Sequence, residues 1–284
     1  MSADARAGDA LPMRTARRRP SGRHRSPDRL SVPSTAPALV LAVPGAACQA
    51  SDDLAAKIAA SASGSCPGVA VRAGYLEGTQ GHLAAVLRAL RSGGGVPTAV
   101  VVPMLTGPHP GAEAALGHAV AEAGVPVILT GPLGPHPLLG EVLHARLAEA
   151  GLARAGRMRH MSIVDVAEGV VVGVAGAAGP VAVQEAGIVS VLLASRLAIP
   201  VVPASLGHVA SVREAAARLR DARATRLALA PCVIGPEVTH DELAAAAAET
   251  GARCAQPLGA HHALGQLVAM RYGVALQDPR IALS

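Results

Sequence analysis

The stretch PLGPHPLLGEVLHARL at residues 132–147 returns in altered form as PLGAHHALGQLVAMRY at residues 257–272. Pro, Leu, Gly, His, Leu, Gly and Arg recur at the same places in both copies. A helix that only closes a core does not need the same Gly-x-His turn before it twice. The two copies therefore indicate that one structural unit occurs twice in the chain.

Two further pairs of stretches extend this duplication toward the amino terminus. LVLAVPGAA (39–47) matches VVVGVAGAA (170–178), and PMLTGPHPGAE (103–113) matches PCVIGPEVTHD (231–241). The offsets of the three pairs, in chain order, are 131, 128 and 125 residues. The pairing aligns Gly45 with Gly176, Gly107 with Gly235, and His109 with Glu237. The repeated unit is therefore about 115–130 residues long.

Within each unit, apolar β-branched runs alternate with Ala-rich stretches of helical composition. Strands are predicted at 38–43, 69–76, 97–104 and 126–130, then at 169–175, 199–204, 225–232 and 253–257. Helices are predicted near 50–62, 79–92, 110–123 and 137–150, then near 180–196, 208–222, 239–250 and 261–273. Such alternation with short links is typical of parallel sheets covered by helices on both faces. The expected fold is α/β, with two pseudo-symmetric doubly wound lobes.

The expected domains are a lobe at 37–151, a linker at 152–168, a second lobe at 169–276 and a tail at 277–284. Residues 1–36 precede them and hold eight arginines against three aspartates, which equals the +5 net charge of the whole 284-residue chain. With its Pro, Ser and Gly, this segment is expected to be a disordered, dispensable basic arm. A weak contact with phosphate or nucleic acid is the less favoured interpretation.

The composition of the chain favours a parallel sheet and argues against nucleic-acid-binding and membrane-spanning proteins. Hydrophobic residues make up 51% of the chain, which contains no Phe or Trp and only two Tyr. Small aliphatic residues suit parallel strands buried on both faces, and the lack of aromatics argues against a nucleic-acid surface that stacks bases. No apolar run approaches the length of a membrane span. A twin-arginine or lipoprotein signal ending at Cys48 is disfavoured by its short, Pro-interrupted apolar stretch. The four cysteines show no C-x-x-C spacing, so a cytoplasmic location with reduced thiols is expected.

A nucleotide site is not expected. GVAGAAG at 173–179 has the spacing G-x-x-G-x-x-G instead of G-x-G-x-x-G, and the next strand ends in VVPAS without an acid for a ribose. P-loop, H-E-x-x-H and G-x-S-x-G motifs are also absent from the sequence.

Imidazoles and carboxylates near strand ends are the better candidates for a site. His109 follows the strand at 97–104, and Glu113 lies one helical turn further on, while Glu77 ends the second strand. In the second lobe, Glu237, His240 and Asp241 form a similar group. Imidazole with carboxylate can bind a divalent ion or move protons. The His109 and Glu113 spacing is equally typical of a loop histidine followed by a glutamate that complements the helix dipole. His136 and His261 are expected to cap and pack their helices.

These motifs together resemble the class II chelatases, especially the long, two-lobed sirohydrochlorin chelatases, over roughly residues 37–276. YLEG at 75–78, VVVPMLTGPH at 100–109 and PLGPHPLL at 132–139 carry the resemblance. It implies flavodoxin-like lobes, a tetrapyrrole substrate, and Fe²⁺ or Co²⁺ as the metal that is inserted, without a nucleotide. It also implies a histidine at each of two strand ends, and His109 matches the second.

The first of those histidines is absent. Where the family has His-Gly-Ser, this chain has Pro44-Gly45-Ala46, and the second lobe has Ala175-Gly176-Ala177. Proline has neither a ligand atom nor an N–H, so it cannot replace an imidazole.

The resemblance therefore implies the following roles. His109 is the expected metal ligand or proton acceptor, Glu113 orients it or helps deliver the metal, and Glu77 is an auxiliary metal-binding carboxylate. Pro44, Gly45, Gly107, Glu237, His240 and Asp241 are expected around the substrate. Charge alone, and not the resemblance, suggests Arg72, Arg88 and Arg271 for contacts with substrate carboxylates.

Two functions follow as hypotheses. The first is a sirohydrochlorin chelatase-like enzyme serving sirohaem or cobalamin synthesis. The second is a non-catalytic binder of tetrapyrrole or metal on a chelatase scaffold that has lost a histidine. The sequence leaves the oligomeric state open.

Overall fold

The computed structural model describes residues 32, 36–90, 97–154, 166–175, 179–235 and 237–277. Within these ranges the chain forms eight strands and eight helices in strict alternation. In chain order they are β1 (Ala38–Ala46), α1 (Gln49–Ser65), β2 (Val71–Glu77), α2 (Leu83–Ala89), β3 (Ala99–Pro103), α3 (Pro110–Ala123), β4 (Val127–Leu129), α4 (Pro137–Glu149), β5 (Gly169–Val174), α5 (Gly179–Leu197), β6 (Val201–Ser205), α6 (Val209–Asp221), β7 (Leu227–Pro231), α7 (His240–Thr250), β8 (Arg253–Cys254) and α8 (His262–Leu276).

The strands form two four-stranded sheets of the same topology. The orders are β2-β1-β3-β4 and β6-β5-β7-β8, and every pairing is parallel. All residues of the central strands β3, β5 and β7 are buried, as expected for parallel strands covered on both faces. The predicted α/β fold of two doubly wound lobes is confirmed.

The duplication extends to individual hydrogen bonds. In each lobe, the residue after the third strand donates its backbone N–H to a carbonyl of the first strand. The Leu of the repeated Pro-Leu-Gly sequence donates its N–H to a carbonyl of the loop after the third strand. The bonds are Met104 to Ala42 (2.8 Å) and Leu133 to Leu105 (2.8 Å) in the first lobe, and Cys232 to Gly173 (2.7 Å) and Leu258 to Val233 (2.9 Å) in the second. These pairs keep the three sequence offsets, so the repeat is structural; Gly176 lies outside the described residues.

The helices pack in three layers around the two sheets. Helices α2 and α3 cover the outer face of the first sheet, and α6 and α7 cover that of the second. Helices α1, α4, α5 and α8 lie between the sheets, and their buried side chains form one continuous apolar cluster with residues of both sheets. The two lobes therefore share a central core.

Glycines allow the lobes to approach each other. Gly265 of α8 packs on α1, where a Cβ at this position would lie 2.3 Å from Ser61 Oγ. Gly140 of α4 occupies the same place in the repeat and faces α5, where a Cβ at this position would lie 3.7 Å from the Cβ of Leu192. The second glycine of the repeated motif thus serves helix contact between lobes in both copies.

The ends of the chain and most of the linker were assigned from composition alone. Predictions for residues 1–31, 155–165 and 278–284 lie outside the described residues. Among the described helices, none has the length and apolar character needed to cross a membrane.

Candidate functional site

A cleft lies between the lobes at the carboxyl ends of β3, β5 and β7. Its walls come from the loops after β3 and β7 and from one face of α5. Ligands of open α/β sheets bind at this edge of the strands. Most lining residues are apolar, Gly or Pro; the polar ones are Thr106, His109, Glu185, Cys232 and Glu237.

His109 lies in the cleft as the residue that caps helix α3. Its Nδ1 accepts the backbone N–H of Ala112 at 3.2 Å, and Pro110 follows it as the first helical residue. Because a neutral imidazole has one lone pair and one N–H, this bond leaves the proton on Nε2. His109 therefore has to give up its capping bond before it can bind a metal or accept a proton.

Glu113 lies next to the backbone of His109 and not next to its ring. Its Oε1 accepts the His109 N–H at 3.0 Å, and the side chain is exposed outside the cleft. The glutamate and the histidine thus satisfy one backbone donor each at the start of α3. This contact fixes the turn that carries His109.

Glu237 occupies the position in the second lobe that His109 occupies in the first. Its two carboxylate oxygens accept the backbone N–H groups of Ile234 at 2.9 Å and Gly235 at 2.6 Å. Burial raises the pKa of this carboxyl although both hydrogen bonds favour its charged form. Glu237 is consequently a better proton acceptor than an exposed carboxylate.

Cys232 and Thr106 close the cleft from opposite lobes. The Thr106 hydroxyl donates to the Cys232 carbonyl at 2.5 Å. Burial raises the pKa of the Cys232 thiol to about 12, so the sulfur stays protonated near neutral pH and is a poor metal ligand.

Several predicted site residues lie away from the cleft lining. Glu77 is exposed at the end of β2, paired in register with Ala46. His240 and Asp241 are exposed in the first turn of α7. The structure thus separates Glu237 from the two residues grouped with it in the sequence.

Of the glycines and prolines predicted around the substrate, only one lines the cleft. Gly107 does so. Pro44 is buried within β1, and Gly45 follows it with φ of +78° at an irregularity in the β1–β2 pairing. A positive φ favours glycine at this turn.

The repeated Gly-x-His turn has a structural explanation in both lobes. His136 Nδ1 accepts the N–H of Leu138 at 3.2 Å, and His261 Nδ1 accepts that of Ala263 at 3.3 Å. The prediction that both histidines cap their helices is confirmed. Burial lowers the pKa of both imidazoles, which favours the neutral form that capping requires.

The glycine of that turn is needed for different reasons in the two lobes. A Cβ on Gly134 would lie 2.0 Å from the Thr106 carbonyl oxygen, which lies on the chain that enters the cleft. Gly259 has φ of +59°, a left-handed conformation.

The arginines predicted to meet substrate carboxylates also lie elsewhere. Arg88 pairs with Glu122 at 2.7 Å on the outer helices, Arg271 donates to the Leu133 carbonyl at 3.4 Å, and Arg72 is exposed on β2. No Lys or Arg of the described chain lines the cleft.

Glu185 is a cleft residue that the sequence reasoning missed. It lies on α5 between the buried residues Ala182, Ala186 and Val189, which line the same wall. Glu185 is the only acidic residue of α5, and an acid on the apolar face of a helix was the signal available in the sequence.

The described residues contain no group of three or more His, Cys, Asp and Glu side chains close enough to hold a metal ion. The cleft instead presents one imidazole and two carboxylates on separate elements of two lobes.

The sequence and the fold were compared with protein families and with solved structures. The CbiX family model matches residues 38–150, which span the first lobe. The two parallel lobes of the whole chain match solved sirohydrochlorin chelatase structures in fold.

Three solved structures resemble this chain along most of its length. The sirohydrochlorin chelatase SirB from Bacillus subtilis subspecies spizizenii, in complex with cobalt, is 14% identical with a TM-score of 0.61. SirB from Bacillus subtilis with Fe³⁺ is 14% identical with a TM-score of 0.65; both matches cover 86% of this chain and 97% of the other. CbiX, described as the terminal enzyme for siroheme biosynthesis in denitrifying bacteria, is 18% identical with a TM-score of 0.58, covering 84% of this chain and 100% of the other. No curated protein matches the sequence.

Proposed function

We propose that this protein inserts Fe²⁺ or Co²⁺ into a tetrapyrrole of the sirohydrochlorin type, for sirohaem or cobalamin synthesis, without a nucleotide. The observation that supports this most is the cleft in which His109 and Glu237 lie at equivalent strand ends of two chelatase-like lobes. The solved relatives in complex with cobalt and Fe³⁺ agree with a metal as substrate. We place the reaction in the cytoplasm, where the four unpaired cysteines would remain reduced.

The reaction requires proton acceptors, because a divalent metal that enters the macrocycle replaces two pyrrole N–H protons. His109 can accept one at Nδ1 once that atom releases the Ala112 N–H. Glu237 can accept the other, since burial has raised the pKa of its carboxyl. The two acceptors lie on opposite lobes, so a macrocycle between them would be deprotonated from two directions.

The apolar part of the cleft suits the face of a tetrapyrrole. Leu105 of the first lobe and Ala182, Ala186 and Val189 of α5 provide aliphatic walls. A bound macrocycle would place its ring between the lobes and its charged periphery toward solvent, where carboxylates remain hydrated.

The test is anaerobic metal insertion by the purified full chain, followed by absorbance, with two His109 variants. His109→Asn retains a good helix cap but removes the imidazole, whereas His109→Ala removes both. We expect both variants to lose about 10²–10⁴-fold in rate, as for loss of a general base. His109→Asn should keep the wild-type stability, while His109→Ala should lose about 1 kcal/mol. A His109→Asn enzyme with more than half the wild-type rate would contradict the role of this imidazole.

Two observations favour a second candidate, a non-catalytic tetrapyrrole or metal binder. Pro44 stands where the family has its first histidine, and His109 Nδ1 is occupied by a backbone N–H. Saturable binding of sirohydrochlorin by the wild type, without acceleration of metal insertion, would establish the binder and exclude the enzyme.

A further inference from the structure

Glu185 has a setting that its contribution to folding does not explain. Three neighbours of Glu185 on α5 are buried. Ala182, three residues before it, is 4% exposed; Ala186, the next residue, is 7% exposed; and Val189, four residues after it, is 2% exposed. A carboxylate on such a face is desolvated on one side, which is unfavourable unless a partner compensates. Among the described residues, no side chain forms an ion pair or a hydrogen bond with Glu185.

The side chain is half-buried and borders the cleft that His109 enters from the other lobe. A carboxylate of α5 and the imidazole of His109 thus line the same cleft, and no Lys or Arg of the described chain lines it. A divalent cation is the ligand class that would compensate a carboxylate and use an imidazole at the same time.

We propose that Glu185, together with His109, binds the incoming divalent metal across the cleft before the metal enters the tetrapyrrole. This inference rests on the proposed function and adds a metal ligand from the second lobe. It assigns to α5 the second ligand that the first lobe lacks because Pro44 occupies the end of β1. Glu237, whose oxygens already accept two backbone N–H groups, is left to accept a proton.

The neighbouring residue provides a matched control. Gln184 is exposed and lies outside the cleft, next to Glu185 in the chain but about 100° away around the helix. The double variant Gln184→Glu with Glu185→Gln therefore keeps composition and net charge while it moves the carboxylate out of the cleft. Glu214→Gln on α6 removes an exposed carboxylate that does not line the cleft.

The experiment measures Co²⁺ binding to the full chain without tetrapyrrole, by calorimetry and by the visible absorption of Co²⁺. We expect Glu185→Gln to weaken binding at least about tenfold, as for the loss of one charged ligand. The double variant should be equally weak, Glu214→Gln should match the wild type, and adding His109→Asn to Glu185→Gln should weaken binding further by less than His109→Asn does alone. The melting temperature of Glu185→Gln should equal or exceed that of the wild type, because an unpaired charge has left an apolar face.

Co²⁺ affinity of Glu185→Gln within twofold of the wild type, recovery of binding in the double variant, or a wild type that binds no Co²⁺ would each overturn the inference. Metal insertion into sirohydrochlorin by the same samples separates this result from the proposed function. A wild type that binds Co²⁺ through Glu185 but inserts no metal overturns only the enzyme. A wild type whose insertion is unchanged by Glu185→Gln overturns only the role of Glu185.

Discussion

Histidine serves repeatedly as a helix cap in this protein. His109, His136 and His261 each accept a backbone N–H through Nδ1 at the start of a helix that follows a strand. Of the three, only His109 lines the cleft, so at that position a capping imidazole already stands where a ligand would be needed. The sequence shows such a histidine and its distance from a strand, but capping and metal binding use the same lone pair and leave the same pattern. The role of His109 is therefore decided by which bond it makes when substrate is present.

Glu168 provides a residue-scale prediction that is independent of the cleft. Its carboxylate accepts the N–H and the hydroxyl of Thr225 at 2.8 and 2.6 Å and pairs with Arg226 at 2.7 Å. The Thr225 hydroxyl is the main cause that lowers the pKa of Glu168 to about 2. The folded state thus favours the charged form, and this stabilisation is present above the ordinary pKa of 4.5 and is lost as pH falls toward 2.

We therefore expect Glu168→Gln to melt below the wild type at pH 7, with a gap that narrows as pH falls to about 3. Calorimetry at both pH values measures the gap, and Glu214→Gln, which removes an exposed acid with only a distant arginine partner, is the control. An equal gap at both pH values would show that the Glu168 charge is not what holds the start of β5 to β7.

At the scale of elements, the pattern of apolar runs was sufficient to predict every strand and helix that the structure shows. It was weaker at their ends. The edge strands β4 and β8 were predicted at 126–130 and 253–257 but extend only over Val127–Leu129 and Arg253–Cys254. Helix α2 begins later than predicted, after a turn in which Gly78 and Gly81 have positive φ.

Helix contacts across the lobes could not be predicted in the same way, yet the repeated motif contains them. Gly265 and Gly140 are equivalent in the repeat, but only Gly265 lacks room for a methyl group. A Cβ at this position would also lie 2.9 Å from the Ala62 backbone nitrogen. Gly117 of α3 has open space around it. Three helical glycines thus differ in the space available to a methyl group.

These glycines support a graded prediction. Gly265→Ala should destabilise the protein by about 1–3 kcal/mol, because the methyl group pushes α8 away from α1. Gly117→Ala should stabilise it by about 0.5–1 kcal/mol through helix propensity, and Gly140→Ala should fall between them. Denaturant unfolding at equilibrium gives all three values; a Gly265→Ala protein as stable as Gly117→Ala would mean that the two helices can separate at no cost.

The whole molecule is organised around the layer of four helices that belongs to both lobes. Helices α1 and α4 bury their apolar faces against α5 and α8 as well as against their own sheet. Composition and periodicity showed two units but could not show that they share a core, since that depends on which helix face meets which lobe. Glu185 was missed for the same reason, because its significance lies in a histidine about 75 residues away in the other lobe.

A shared core predicts that the lobes depend on each other. The full chain should unfold in one calorimetric transition, whereas residues 38–150 alone should form dimers or aggregates because they expose the inner faces of α1 and α4. Light scattering after size exclusion measures the second outcome. Two well-separated transitions in the full chain, or a stable monomeric first lobe, would show that the central layer does not couple the lobes.

The two tyrosines give this protein an unusual optical property. The Tyr75 hydroxyl donates to Asp52 within the first lobe, and the Tyr272 hydroxyl donates to the Pro37 carbonyl at 2.7 Å across the junction of the lobes. Both phenols are buried, and the chain contains no tryptophan or phenylalanine. Its ultraviolet emission therefore comes from one reporter inside a lobe and one between lobes, and replacing either by leucine isolates the other. A tetrapyrrole absorbs at the wavelengths where tyrosine emits, so occupancy of the cleft can be followed by energy transfer from the native chain without any attached dye.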